Sequence, residues 1–160
     1  MKHLCIVILI ALLRPADYPE QLQFDPATDP VAGLDLLNRW RLLVPEQVIV
    51  RSARSITPRL ANVTSVNVGE IHGKPHLFLK GTLTEDVENG CTVMIPLREN
   101  SDGLWMAGQT YQICSGIACN TCGFDEYWGC SCERYTGTDL ETESRCNHTV
   151  STGAGLGKVD

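Results

Sequence analysis

Six cysteines crowd the last third of this chain: Cys114, Cys119, Cys122, Cys130, Cys132 and Cys146, spaced C-x4-C-x2-C-x7-C-x-C-x13-C. Sulfur at this density can bond to itself, bind a metal ion or ligate an iron–sulfur cluster. Six is an even set, and six cysteines permit fifteen pairings; a bridge from Cys130 to Cys132 would close a very strained ring, which leaves twelve. Between Cys114 and His148 the large apolar side chains are only Ile117, Phe124, Tyr127, Trp128, Tyr135 and Leu140. So few cannot offset the ordering of that segment, at roughly 1–2 kcal/mol per residue. Three bridges at about 2–4 kcal/mol each can. Disulfides among these six are the leading reading, and no catalytic role is assigned to them.

The metal alternative draws its ligands from Cys119, Cys122, Cys130, Cys132 and His148, with Cys146 a further donor. Zinc takes four sulfur or nitrogen ligands in a tetrahedron, and Cys119-x2-Cys122 is a suitable half-site. Against it, the second pair has a one-residue spacer and more donors are present than zinc needs. In the cluster alternative, CSGIACNTC matches the C-x4-C-x2-C half of a plant-type ferredoxin motif, with Cys146 as fourth ligand. It leaves the Cys-x-Cys pair unexplained. A thiol-redox use of Cys119-Asn120-Thr121-Cys122 lacks the helix N-terminus that lowers a thiolate pKa. The expected cofactor is therefore none, with zinc as the alternative.

Within this segment Asp125, Glu126, Tyr127 and Trp128 place two carboxylates beside two aromatic rings. That combination suits a sugar ring, a cation or a protein surface, and an exposed loop tip is its plain structural reading. Other motifs fail on inspection. Gly153–Lys158 lacks the first glycine and the terminal Ser or Thr of a phosphate loop. His72 and His76 flank Gly73 and Pro75, which break any metal-binding helix. No G-x-S-x-G is present, and no constellation of serine, histidine and carboxylate proposes a reaction. Asn62-Val63-Thr64 and Asn147-His148-Thr149 are sequons only where a host glycosylates them.

The elements that must position these groups follow from hydrophobic periodicity. Val31, Leu34, Leu37, Trp40 and Val44 recur at three- and four-residue steps, predicting an amphipathic helix capped by Asp29 and Pro30 and ended by Pro45. From about residue 47 the period becomes two. VNVGEI (66–71), HLFLKGTL (76–83), CTVMIPLR (91–98) and TYQIC (110–114) read as strands, with turns at HGKP (72–75), ENG (88–90) and NSDG (100–103). In the third strand Cys91, Val93, Ile95 and Leu97 share one face. Cys91 is expected there as a small buried hydrophobe. Pro96 cannot donate to a ladder, which predicts an edge strand or a bulge.

The remaining flanks bear on placement. Lys2 precedes ten apolar residues, Leu4 to Leu13, the layout of an export signal over residues 1–16 and too short for a bilayer span. Residues 17–30 carry three prolines and read as a linker. Residues 31–113 form the helix and sheet core, 114–148 the cysteine-rich part of the same domain, and 149–160 a loose glycine-rich tail. The whole chain has a formal charge of −6. Such an acidic balance argues against nucleic acid, which demands neutralised phosphates, and against anionic lipid.

Strand, Asn-Gly, strand, then C-x4-C-x2-C-x-F, Gly129-Cys130-x-Cys132 and Cys146-Asn147-His148-Thr149 resemble small exported bacterial cysteine-cluster proteins of unknown function. The resemblance covers roughly residues 60–152. It implies a secreted, periplasmic or surface location and no particular chemistry. The sequence as a whole predicts a mainly β protein: an antiparallel meander, one helix before it, and a disulfide-stapled end. Its partner would be an extracytoplasmic protein or carbohydrate.

Overall fold

The computed structural model describes residues 25, 28–117, 119, 121–133 and 145–152. The expected export signal, the linker up to residue 24 and the end of the tail from residue 153 lie outside them. The fold is mainly antiparallel β with one short helix, as the periodicity predicts. Its frame is a meander of β3 (Leu60–Ile71), β4 (Lys74–Leu83) and β5 (Asp86–Glu99). His72 and Gly73 make the first turn, both at positive φ, the backbone that two-residue hairpins require.

The free edge of β5 is shared by two strands. Strand β7 (Thr110–Ile117) pairs with Cys91–Met94, and β6 (Trp105–Ala107) pairs with Leu97–Glu99. Beyond β7 lies β10 (Arg145–Thr152), in register from Arg145↔Ile117 to Thr152↔Thr110. Beyond β6 come β1 (Ala32–Leu34) and β2 (Trp40–Leu42). The main core joins Leu77, Leu79, Val93, Ile95 and Ile113 of the sheet to Val31 and Ala32 at the start of β1 and to Ile49 and Ala53 of the helix. The Trp40 ring meets Trp105 edge-on at 5.4 Å, and its indole N–H donates to Glu70 of β3 at 2.9 Å.

Four expectations need correction. The helix is not at 31–44: those residues form the β1–β2 hairpin, and the helix is α1 (Glu46–Ile56), which begins after Pro45. Asp35 explains the difference. Its Oδ1 accepts from the amides of Leu37 at 2.8 Å and Arg39 at 3.0 Å, closing a turn that a helix would have to give up. Those amide bonds, that of Arg39 foremost, also hold the Asp35 carboxyl below its ordinary pKa. Leu34 and Leu37 are consequently 50% and 70% exposed, and only Val31, Trp40 and Val44 of the stripe reach the core. Asp29 does not cap a helix; its Oδ2 accepts from the Asp25 amide.

Strand β5 is central rather than at an edge. Pro96 is tolerated because it falls between the last partner in β7, Met94↔Gln112, and the first in β6, Leu97↔Ala107. Neither ladder includes Pro96, and its carbonyl still accepts from the Gly108 amide at 2.8 Å. ENG (88–90) is not a turn but part of β5; the chain reverses at Thr84–Glu85, where Arg59 clasps Glu85. Finally, residues 149–152 belong to β10, so the tail begins later than expected. Strand pairing with β7 supplies the order that this polar stretch lacks in apolar content. Asn100 and Gly103 turn the chain where NSDG predicts.

Candidate functional site

Cysteines and the aromatic tip lie on one small unit, a second sheet made of β8 (Thr121–Phe124) and β9 (Cys130–Glu133). This hairpin lies over the second face of β5. Thr92, on the opposite side of that strand from Val93, is buried and donates its hydroxyl to the Cys122 carbonyl at 2.5 Å. Met94, on the same face, is fully buried as well. At the other end of the hairpin unit the Cys119 amide donates to Asn89 Oδ1 at 3.3 Å.

Three disulfides tie the unit down: Cys114–Cys130, Cys119–Cys132 and Cys122–Cys146, with Cα separations of 5.6, 6.0 and 5.9 Å. The second joins the β7–β8 connection to β9. The first runs from the main sheet to β9 and the third from β8 to β10, so both sides of the hairpin are anchored to β7 and its neighbour. The six sulfurs and Phe124 make a second packed cluster, separate from the main core. Cys91 is free, buried and part of the main core. Burial pushes its thiol up to about 11, with the Glu85 charge adding to the effect.

The set Cys119, Cys122, Cys130, Cys132 and His148 is divided by this arrangement. Cys130 is bonded to Cys114, and His148 Nε2 faces Gln112 Oε1 at 2.7 Å with its ring edge-on to Phe124. Sulfurs of two different bridges, those of Cys119, Cys122 and Cys146, come close instead. Cys119 Sγ lies 3.6 Å from Cys122 Sγ and 3.9 Å from Cys146 Sγ.

At the far tip, Asp125 builds the loop. Its Oδ1 accepts from the amides of Tyr127 at 2.8 Å and Gly129 at 2.7 Å, and its own amide donates to the Gly129 carbonyl at 2.9 Å. A side chain at Gly129 would place Cβ 2.7 Å from Asp125 Oδ2, so it would have to displace the carboxylate that builds the loop. Trp128 takes a positive φ of 67°, a conformation that costs a non-glycine residue energy and is common at ligand sites. The turn bonds of Asp125 and two histidines hold it. His76 meets the indole edge-on at 4.9 Å and His72 stacks on it at 6.4 Å. Tyr127, by contrast, is 77% exposed and Glu126 is exposed beside it.

The bracing histidines were set aside by sequence reasoning, and Thr92 drew no attention. Nothing in their spacing to Trp128 or Cys122, across fifty and thirty residues, signals contact. His76 is buried, its Nδ1 hydrogen donated to the Lys74 carbonyl at 2.7 Å. Burial pulls its pKa below the ordinary histidine value, so the ring stays neutral against the indole at neutral pH. Among the described residues no helix is long and apolar enough to cross a membrane. No protein family, no curated protein and no solved structure matches this chain.

Proposed function

We propose that this is an exported, disulfide-stabilised binding protein that presents the Asp125–Trp128 tip to a carbohydrate or protein surface outside the cytoplasm. The observation carrying the reading is the contrast within the tip. Trp128 is locked at an unfavourable φ by Asp125, His72 and His76, while the adjacent Tyr127 and Glu126 stand in solvent. A tip fixed in advance loses little conformational entropy on contact. An aromatic ring next to a carboxylate offers a stacking face and a hydrogen-bond acceptor to a sugar hydroxyl or a peptide group. Export is supported by the apolar N-terminal run and by the three bridges, which persist in oxidising compartments.

Affinity electrophoresis through gels containing cell-envelope polysaccharide tests the reading. Retardation of the wild-type chain, lost in Tyr127→Ala and reduced in Glu126→Gln, is the result expected for a glycan. For a protein partner the same two variants lose crosslinking to surface proteins of intact cells, from a photoreactive group placed at Lys74 beside the tip. If both variants match wild type in both assays, the tip is not the binding site.

A further inference from the structure

We propose that Cys119, Cys122, Cys132 and Cys146 form a second, redox-selected site: two disulfides under oxidising conditions and a zinc tetrathiolate under reducing ones. The proposal goes beyond the binding reading and does not depend on it. Zinc held at about 2.3 Å by four thiolates sets its sulfurs about 3.8 Å apart, the edge of a tetrahedron of that size. Two non-bonded edges already have this length, Cys119 to Cys122 at 3.6 Å and Cys119 to Cys146 at 3.9 Å. The sulfurs of Cys119, Cys132 and Cys146 all lie within 4.8 Å of one another. Cys122 and Cys132 are direct partners across the β8–β9 ladder.

Contacts other than sulfur still tether three of these donors near one another once the bridges open. Cys146 is carried by β10, which pairs with β7 along its whole length. The Thr92 hydroxyl grips the carbonyl of Cys122, and Asn89 holds the amide of Cys119. A C-x2-C pair, Cys119 and Cys122, supplies half of the ligands at a spacing that zinc sites use.

The chemistry balances. Each bridge accepts two electrons and two protons from a dithiol reductant, which closes its own disulfide, so two bridges yield four thiols. Zinc then displaces four protons and leaves a dianionic ZnS4 unit. The ligand set differs from one built on Cys130 and His148: the Cys130 sulfur is paired with Cys114, outside the four, and His148 Nε2 is hydrogen-bonded to Gln112. A chain still in a reducing compartment would thus have its hairpin closed by metal, and an oxidised chain by sulfur.

The full-length chain, opened with a water-soluble phosphine under argon, is titrated with zinc and, separately, with cobalt(II). One metal per chain by native mass spectrometry and the intense visible absorption of tetrahedral cobalt thiolate are expected. With zinc bound, alkylation should reach Cys114 and Cys130 and spare Cys119, Cys122, Cys132 and Cys146. Cys146→Ser should weaken zinc binding by roughly a hundredfold or more, since loss of mere supporting contacts costs ten- to hundredfold. The double variant Cys114→Ser/Cys130→Ser should retain it. The proposal is overturned if zinc protects no thiol, or if Cys130→Ser abolishes binding while Cys146→Ser leaves it intact.

Discussion

The two faces of β5 are held by different physics. On one face Val93, Ile95 and Leu97 join Leu77, Leu79, Val31 and Ile49 in a core of hydrocarbon. On the other, Thr92 lies under a cluster of six sulfurs and Phe124, and Met94 sits opposite Phe78 of β4. The first face owes its stability to apolar area removed from water, at about 25 cal/mol per Å². The second has too little such area and relies on covalent links that restrict the unfolded chain. One strand can therefore carry a region that melts with the sheet and a region that depends on redox state. A binding tip built on the second kind of support is rigid without needing a core of its own.

Reduction should break the comparison most visibly. Opening three bridges, each worth about 2–4 kcal/mol, should expose the β8–β9 amides to fast hydrogen exchange in metal-free buffer. Amides of β3, β4 and the inner part of β5 should stay protected. Loss of protection across all strands at once would show that both faces form a single cooperative unit. Intact mass should rise by about six daltons for three bridges opened, which counts them independently.

Leu79→Ala is the converse probe. Leu79 is fully buried in the hydrocarbon core, and its truncation should cost about 2–5 kcal/mol. Chemical denaturation should show the whole loss in the sheet transition, with all three bridges still formed in the native state. If the sheet midpoint hardly moves, the division of labour between the faces is wrong.

A smaller effect sharpens the contrast between cysteines. Cys91 lies in the hydrocarbon face, and its thiol stays protonated to about pH 11 when folded, against an ordinary value of 9.0. The unfolded chain releases that proton first, so it binds fewer protons than the folded one in this window. Stability conferred by the buried neutral thiol is complete below pH 9 and declines as pH rises toward 11, by about 2 kcal/mol. Cys91→Ala should remove that part of the alkaline slope. Equal slopes in the two proteins, measured by urea unfolding across pH 8–11, would mean that the thiol is solvated.

Much of this was legible in local pattern. The alternation Cys91, Val93, Ile95, Leu97 identified the inward face of β5, and the poverty of apolar groups after Cys114 identified a crosslinked segment. The same kind of pattern misled at 31–44, because leucine spacing says nothing about the competing bonds of Asp35. It misled at Pro96 too, since a missing donor matters only if a partner strand stands opposite. Pro96 sits where β5 passes from one partner strand to the next, which no local rule reveals.

Composition and spacing by themselves determined that this chain is mainly β, that its end needs sulfur links, and which six cysteines supply them. They act through side-chain period and through the entropy of a core-poor segment, both of which are local. Which cysteine meets which was decided only by the fold, because strand pairing brings β10 to β7 and lays the hairpin on Thr92. The bracing of Trp128 by His72 and His76 belongs to the same category: those residues are distant along the chain and adjacent only once two hairpins dock. Long-range contacts such as these depend on where every strand ends, and a sequence read one window at a time does not contain that sum.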